Sequence, residues 1–540
     1  MTAVDQIRAE LIRAARSLGA PTDVEPLLER PRDPSHGDWA TNLAMILAKP
    51  LRSKPRDIAE KLRENVGLKD AGVSRIEIAG PGFMNFFIDA GQIASGLGAV
   101  LRADETYGHA DVGHGQAVNV EFVSANPTGP LHVGHGRQAA LGDAIATLLE
   151  VTGWNVSREF YYNDAGVQIE NLAASVDARL RQLRGEKAEI PEGGYHGDYI
   201  TELAERYQSN NDGLSVREFA VRELRKEQDL DLQAFGVRFD RYFLESSLYT
   251  DGMVEDTVRL LISSGKTYEH DGALWLRTTD FGDDKDRVMR KRDGTYTYFL
   301  PDVAYHVTKW KRGFHRAIDV QGADHHSTVT RVRAGLRALK MGMDAGYPEY
   351  VLHQMVTVMK HGEEVKISKR AGSYVTVRDL INEVGRDAVR YFFLMRKSDS
   401  QLIFNVDLAA SQSEENPVYY IQMAHARMSG IFRVGNIDPA SIAPDGVPFG
   451  VLSEPEEQEL IKALLDFPAL VLSAAETLEP HRIATYLLDT ARLAHLWYHK
   501  HHVLEQPEEI TRARLALARS AQIVLRNGLR ILGITTPERM

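Results

Sequence analysis

Apolar and polar positions alternate along the chain with two different periods, and each change of period predicts a new element. Residues 117–124 and 155–164 are short segments whose patterns predict strands. Between them, residues 131–152 repeat apolar positions at helical spacing, and Gly153 follows as a helix-ending glycine. A strand, a helix and a strand at this spacing predict a parallel pair with a right-handed crossover.

The segment before this unit has a mixed pattern that predicts a small α+β domain. Residues 1 to about 65 are predicted to be helical with loops, and Pro55 stands where one helix is expected to begin. Residues 74–89 alternate on both sides of a Gly-Pro-Gly turn, which predicts a hairpin. Residues 103–116 are rich in Gly, His and Asp and are predicted to be a linker, so we place the first domain at 1–108.

The later pattern predicts two further parts of the molecule. Residues 165–285 are charge-rich and are predicted to be a largely helical insertion in a sheet domain at 113–405. Strand-like patterns return at three later segments, which are 294–302, 317–326 and 353–367. From about residue 407 the pattern is helical, which predicts an all-helical domain at 406–540. The expected fold is multidomain α/β, with a parallel-sheet core between an N-terminal α+β domain and a C-terminal helical bundle.

Composition narrows the classes of protein that fit. The 540 residues are 43% hydrophobic and 26% charged, with a net charge of −11. No apolar run is long enough to span a membrane, so we expect no membrane-spanning helix. The charged first segment does not resemble a signal peptide. The chain has no cysteine, which excludes disulfides, thiol catalysis and Cys-ligated zinc. We expect a cytoplasmic protein, and a monomer because three domains supply enough core.

The string "HVGH" places His132 and His135 at the start of the predicted helix, with Gly134 and Gly136 interleaved. Zinc binding would require a third and a fourth ligand, and no such set is evident. Core packing would favour Leu and Ala over two polar rings beside helix-weakening glycines. A phosphate and nucleotide site explains every feature, because a helix N-terminus attracts anions, glycine permits close approach and imidazole donates hydrogen bonds.

A second string, "EEVKISKRAG", crowds Lys366, Lys369 and Arg370 into a loop after a predicted strand. Alone, it would be interpreted as a solvated basic turn. In this order, on a parallel-sheet protein, "HVGH" (132–135) and "KISKR" (366–370) resemble the HIGH and KMSKS signatures of class I aminoacyl-tRNA synthetases. Isoleucine and arginine replace the second and the last residue of the second signature, and both lysines are kept.

The wider resemblance is to arginyl-tRNA synthetases and covers nearly the whole chain. It rests on "EFVSANPTGPLHVGHGR", "YYNDAG", "FLESSLY", "GADHH", "RYFFLMR" and "ENPVYYIQMAHAR", with "GDWATNLAM", "GPGFMNFF" and "NGLRILGITTPERM" near the two ends. The resemblance implies a Rossmann-type catalytic core, an N-terminal domain that touches the outer corner of the tRNA and a helical anticodon-binding domain.

The resemblance also implies an activity and its residues. Arginine would be activated by ATP, with Mg²⁺ and without structural zinc, and transferred to the terminal adenosine of tRNA(Arg). The implied catalytic residues are His132, His135, Lys366 and Lys369. The implied ATP-binding residues are Gly134, Gly136, Asp324, His325 and Ser368. The implied arginine-binding residues are Ser124, Asn126, Glu245, Tyr298 and Asp302. The implied tRNA-binding residues are Phe83, Asn85, Tyr420 and Arg427.

Structural explanations remain open for several of these residues. Asp302 would also suit a helix cap, Glu245 the surface, Tyr298 a core strand, and Phe83 and Tyr420 the hydrophobic core. Two other functions remain as alternatives, a tRNA-independent nucleotidylyltransferase and a catalytically silent tRNA-binding paralogue. The chain length and the helical C-terminal domain argue against the first. The intact histidines and lysines argue against the second.

Overall fold

The computed structural model describes residues 3–31, 33–68, 71–164, 166–209, 212–365 and 375–540. The first domain has a core of its own, built around Leu11, Leu43, Leu62 and Phe86. Its elements are α1 (Ala3–Ser17), β1 (Trp39–Thr41), α2 (Leu43–Ile46), α3 (Pro55–Asn65), β2 (Val73–Ala79) and β3 (Phe83–Ile88). The three strands pair antiparallel in the order β1-β3-β2, which confirms the predicted hairpin.

Helices α4 (Ala90–Ser95) and α5 (Leu97–Ala103) pack with the rest of the molecule rather than with the first domain. The turn after them is held by the last helix of the chain. Asp104 accepts from Arg519 at 3.0 Å and from Arg526 at 2.5 Å. The change of core therefore lies before residue 90, ahead of the predicted boundary at 108. The predicted linker begins as an anchored turn.

The central domain is built on a five-stranded parallel sheet with the order β11-β10-β4-β5-β6. Its first part contains β4 (Ala117–Glu121), α6 (Val133–Val151), β5 (Asn155–Tyr162), α7 (Val167–Leu183), α8 (Asp198–Gln208), α9 (Val216–Ala234) and β6 (Arg241–Leu244). Strands β4 and β5 are parallel neighbours and α6 connects them, which confirms the predicted unit. Gly153 after α6 has a φ of 89°, a left-handed conformation that glycine tolerates.

The next part carries α10 (Glu245–Thr250), α11 (Met253–Ser263), β7 (Thr267–His270), β8 (Ala273–Leu276), β9 (Arg287–Arg290), α12 (Phe299–Lys311), β10 (Arg316–Gly322), α13 (His326–Ala338) and β11 (Glu349–His353). The prediction of one largely helical insertion at 165–285 is wrong in two respects. Strand β6 belongs to the central sheet, and β7, β8 and β9 form a separate antiparallel sheet. Strands of four residues are too short for their period to be recognised.

The predicted strand at 294–302 is also wrong over its second half. Tyr296 makes an isolated bridge to Arg290, and helix α12 begins at Phe299. Pro301 lies in the first turn of that helix, where the missing N–H would have no intrahelical partner. The aromatic and β-branched residues of this segment favour a strand. The segment is nevertheless helical from Phe299, because Phe299, Leu300 and Val303 pack in a second hydrophobic core.

The remaining elements complete the central domain and form the bundle. They are β12 (Val356–Lys360), β13 (Glu363–Glu364), α14 (Val377–Val384), α15 (Arg386–Leu394), β14 (Leu402–Asn405), α16 (Val406–Ala410), α17 (Pro417–Val434), α18 (Pro455–Thr477), α19 (His481–Lys500) and α20 (Glu508–Ile531). The helical C-terminal domain is confirmed. One core joins Leu141 of the central domain to Leu525 of the bundle. None of the described helices is both long and apolar enough to cross a membrane.

Gly142 allows α6 to lie close to the sheet, and its replacement gives a test of this packing. A Cβ atom there would lie 2.1 Å from Phe122 Cγ, whose ring is fully buried. We expect Gly142→Ala to lower the free energy of unfolding by about 1–3 kcal/mol, because overpacking outweighs the gain in helix propensity. Urea denaturation followed by circular dichroism measures this. Gly346→Ala is the control, since its Cβ would meet nothing within 4 Å.

Candidate active site

The histidine pair stands at the N-terminus of α6, beside the carboxyl edge of the sheet. His132 is the N-cap residue, and its Nδ1 accepts from the backbone N–H of Gly134 at 3.1 Å and of His135 at 3.4 Å. The neutral ring therefore carries its proton on Nε2. The two imidazoles stack with their centroids 3.7 Å apart. This arrangement combines hydrogen-bond donors with the positive end of a helix, which suits an anionic ligand.

Two different packing constraints explain the two glycines of the motif. A Cβ at Gly134 would lie 2.9 Å from His132 Cε1, so glycine leaves room for the capping ring. Gly136 is buried, and a Cβ there would lie 2.8 Å from Phe393 and 2.9 Å from Val377. The structure therefore explains Gly136 by the packing of α6 against α14 and α15. Its predicted contact with ATP stays a prediction.

Two acidic side chains, Glu245 and Asp302, lie near each other beside the sheet, and we call their surroundings the acidic pocket. Glu245 begins α10 directly after β6, and Asp302 lies in the first turn of α12. In the described part of the chain, neither carboxylate forms an ion pair. Burial raises the pKa of Asp302 to about 7; nearby Glu245, Glu121 and Asp319 add to the shift, and His306 opposes it. Burial also raises the pKa of Glu245, which the nearby Tyr161 hydroxyl opposes. The pocket is therefore suited to a cationic group.

The surroundings of this pocket settle three open alternatives. Asp302 makes no side-chain cap bond to α12, and Glu245 is half-buried rather than a surface acid. Tyr298 has an exposed fraction of 81%, so it is not a core residue. It lies near Tyr249, whose pKa burial raises to about 12 with help from Glu245 and Asp302. Tyr249 thus lies near all three predicted residues.

Sequence reasoning missed several side chains at this edge. Asp164 accepts from the backbone N–H of Ser246 at 3.0 Å and from its hydroxyl at 2.7 Å, which holds the start of α10. Tyr161 and Tyr249 line the acidic pocket, and Gln321 at the end of β10 has a buried Oε1 that accepts no hydrogen bond from the described residues. Their positions at strand ends were the available signal, because ligands bind beyond the carboxyl ends of parallel strands.

A strained turn after β4 carries Ser124 and Asn126. Val123 and Ser124 have φ values of 68° and 41°, which β-branched and other non-glycine residues rarely adopt. The Ser124 hydroxyl donates to Glu121 Oε1 at 2.9 Å and accepts from the N–H of Tyr161 at 3.2 Å. Asn126 Nδ2 donates to Gln168 at 2.7 Å. These bonds connect the turn after β4 to β5 and α7, next to the acidic pocket.

The residues predicted to bind the rest of ATP are placed less fully. Lys366, Ser368 and Lys369 lie outside the described residues. Thr376, just beyond them, forms a β-bridge with His132, so the segment that follows the second motif lies beside the first. Asp324 and His325 follow β10 with side-chain exposures of 78% and 57%.

The central part of the chain matches a family model that decides its classification. The model described as "tRNA synthetases class I (R), catalytic domain" matches residues 97–429. The chain belongs to the arginyl-tRNA synthetase family. The models described as "Arginyl tRNA synthetase N terminal domain" and "DALR anticodon binding domain" match residues 3–88 and 421–540.

Individual relatives of the arginyl-tRNA synthetase family agree with this classification. The chain is 54% identical over 532 residues to an arginine–tRNA ligase of Geotalea daltonii, with 95% of each chain covered. It is 54% identical over 553 residues to an arginine–tRNA ligase of Bordetella petrii, with 98% of each covered. The solved arginyl-tRNA synthetase of Thermus thermophilus has the same fold, with a TM-score of 0.77, 24% identity and 99% coverage of both chains.

The N-terminal domain of this arginyl-tRNA synthetase family member presents one aromatic side chain at the tip of its hairpin. Phe83 has an exposed fraction of 42%, which excludes the core explanation. Asn85 is only 5% exposed and pairs in register with Ala40 and Glu77 inside the sheet. The predicted contact of the Asn85 side chain with tRNA stays a prediction.

Tyr420 and Arg427 of the bundle meet at one histidine. Arg427 Nη1 donates to His495 Nδ1 at 2.7 Å, and His495 Nε2 donates to the carbonyl oxygen of Tyr420 at 3.1 Å. The Tyr420 ring packs on His495, with the ring centroids 4.3 Å apart. Arg427 also lines a cavity of about 840 Å³ between α17 and the end of α19, together with Tyr498 and His502. Arg427 is thus placed on a basic and aromatic hollow, and Tyr420 supports it.

The carboxylates of the acidic pocket form no ion pair with the described residues, so we expect them to lower the free energy of unfolding. Because the folded-state pKa of Asp302, about 7, lies above the ordinary 3.8, the folded protein binds a proton between these values that the unfolded chain does not. Stability from this group therefore falls as pH rises through 7. We expect Asp302→Asn to raise the free energy of unfolding at pH 8 by roughly 1–3 kcal/mol, with a smaller gain at pH 5. Denaturation at both pH values measures this, with exposed Asp445→Asn as control.

Proposed function

We propose that the chain is an arginine–tRNA ligase. It converts L-arginine and ATP into arginyl-adenylate and pyrophosphate, and then transfers the arginyl group to the terminal adenosine of tRNA(Arg) with release of AMP. One observation carries the proposal. The half-buried carboxylates of Glu245 and Asp302 form no ion pair with the described residues, and they lie in the domain whose α6 begins with the histidine motif. A guanidinium provides five N–H donors for such a pocket.

The first step requires little covalent chemistry from the protein. The arginine carboxylate is itself the nucleophile that attacks the α-phosphorus, so catalysis rests on positioning and on stabilising charge. We assign His132 and His135 to the α-phosphate at the N-terminus of α6. We assign Lys366 and Lys369 to the β- and γ-phosphates on the basis of the motif. ATP supplies the phosphates as substrate, and Mg²⁺ would be bound mainly by these phosphates and water.

Specificity follows from the chemistry of the acidic pocket. Glu245, Asp302 and Tyr298 would surround the guanidinium, and Ser124 and Asn126 would hold the amino and carboxylate end of the substrate. Lysine would leave buried carboxylate oxygens poorly paired, which supports discrimination of about 10⁴-fold without a separate editing site. A tRNA-independent nucleotidylyltransferase has no evident need for such a pocket.

The second substrate, tRNA(Arg), would contact both ends of the molecule. Phe83, which is exposed at the hairpin tip, would stack on an unpaired base at the corner of the tRNA, and Arg427, which lines the hollow at the bundle, would contact the anticodon end. A body with a net charge of −11 needs such local basic sites to bind RNA. We expect the enzyme to work as a cytoplasmic monomer.

The histidine assignment predicts a loss of activation. We expect His132→Ala to lower ATP–pyrophosphate exchange with arginine by about 10²–10³-fold, because one stabilising donor is lost. Exchange is measured over the twenty amino acids, with and without tRNA(Arg). His196 is exposed and lies outside the histidine motif, so His196→Ala should leave the exchange rate unchanged. No exchange by the unaltered protein with any amino acid would favour the silent paralogue.

The raised pKa of Asp302 predicts how arginine binding depends on pH. The ionised carboxylate binds the guanidinium, and about half of the Asp302 side chains are protonated at pH 7 in the free protein. The Kd for arginine should therefore rise as pH falls below 7, approaching tenfold per pH unit, and should level off above pH 8. Calorimetric titration from pH 5.5 to 8.5 measures this. Asp302→Asn should weaken binding and flatten the profile, and an equally steep profile in that variant would contradict the assignment.

A further inference from the structure

A network of buried charges lies next to the pocket, on the same face of α12 as Asp302. His306 and Lys309 follow Asp302 at four and seven residues, so all three share one side of the helix. Lys309 is completely buried. Its Nζ donates to Glu121 Oε2 at 2.6 Å and to Asp319 Oδ1 at 2.8 Å, which joins α12 to β4 and β10.

The charges of this network balance. His306 places Nε2 at 2.7 Å from Asp319 Oδ2 and Nδ1 at 2.7 Å from the carbonyl oxygen of Asp302. Both neighbours are acceptors, so both ring nitrogens donate and the ring is an imidazolium. Two cations, Lys309 and His306, thus face two carboxylates, Glu121 and Asp319. Potential metal ligands of Glu121, His306 and Asp319 lie within 4.8 Å of one another, but the lysine ammonium already bridges the two carboxylates.

The network reaches both ends of the proposed arginine site. On one side, Glu121 uses its second oxygen to accept from the Ser124 hydroxyl at 2.9 Å, which fixes the strained turn after β4. On the other side, Asp319 holds His306, which holds the carbonyl oxygen of Asp302. Lys309 is the group through which these two paths are connected.

We propose that Lys309 is a positioning residue for arginine, which sets the distance between Ser124 and Asp302 without touching the substrate. This inference rests on the proposed function, because it assigns those two residues to opposite ends of arginine. Stability alone does not account for a buried lysine, since well-packed apolar replacements of buried ion pairs are often neutral or stabilising. The two short hydrogen bonds of Lys309, which join α12 to β4 and β10, do account for the buried lysine.

The test separates charge balance from positioning. Lys309→Met leaves one buried carboxylate in excess and should lower stability strongly. The double variant Lys309→Met with Glu121→Gln restores the balance, because His306 and Asp319 remain as one cation and one anion. We expect its Tm to recover most of that loss, while its Kd for arginine stays about 10–100-fold above that of the unaltered protein, since the bridge is still absent. The KM for ATP should change less than twofold.

Calorimetric titration with L-arginine gives the Kd for arginine, and pyrophosphate exchange gives the KM for ATP. Recovery of the Kd for arginine together with Tm would overturn the proposal and leave Lys309 a purely structural role. Arg390→Met is the matched control, because Arg390 is another fully buried cation with a carboxylate partner, Asp143 at 2.6 Å, and contacts neither end of the pocket. It should lower Tm and leave the Kd for arginine unchanged.

Ser124→Ala tests one end of the path without a buried charge. It removes one hydroxyl and should raise the Kd for arginine severalfold with little change in Tm; an unchanged Kd would also overturn the proposal. The unaltered protein separates the two levels of inference. If it binds arginine but does not charge tRNA(Arg), the proposed function fails while the role of Lys309 in binding arginine is still decided by the variants.

Discussion

The parallel pairing of five strands brings together the described side chains at the sheet edge that are assigned to small substrates. Parallel pairing brings the carboxyl ends of β4, β5, β6 and β10 to one edge, so that residues far apart in the chain meet there. Ser124 follows β4, Asp164 follows β5, Glu245 follows β6, and Asp324 follows β10. Helix α6 begins at the same edge, which adds the positive end of a helix to the site.

Electrostatics at this edge are divided into two layers. In the outer layer, Glu245 and Asp302 are partly buried and form no ion pair with the described residues, and burial raises their pKa values. In the inner layer, each carboxylate has a cation, and the neighbouring Lys309 and His306 hold the pKa of Asp319 well below its usual range. The strained turn at Ser124 and the carboxylates with raised pKa values thus lie in the outer layer, and the paired charges of the inner layer hold them in place.

Local features were predictable because their causes are local. The helix at 131–152 was found at 133–151, and the hairpin at 74–89 was found, since periodicity and turn residues act over a few positions. The strand expected at 294–302 became helix α12 at Phe299, because packing in the second core overrode residue preference. The short strand β6 was hidden within a charge-rich segment, because its pairing partner β5 lies far away in the chain.

By itself, the sequence determined the order of the domains, the histidine motif at a helix start and the family to which the chain belongs. Those features depend on residue chemistry and short-range spacing. Only the tertiary structure decided that Gly136 is packed against Phe393 and Val377 and that Phe83 is exposed. It also decided that Lys309 meets Glu121, which is 188 residues away. Such contacts form only when the strands pair and the core closes, and no local pattern carries that information.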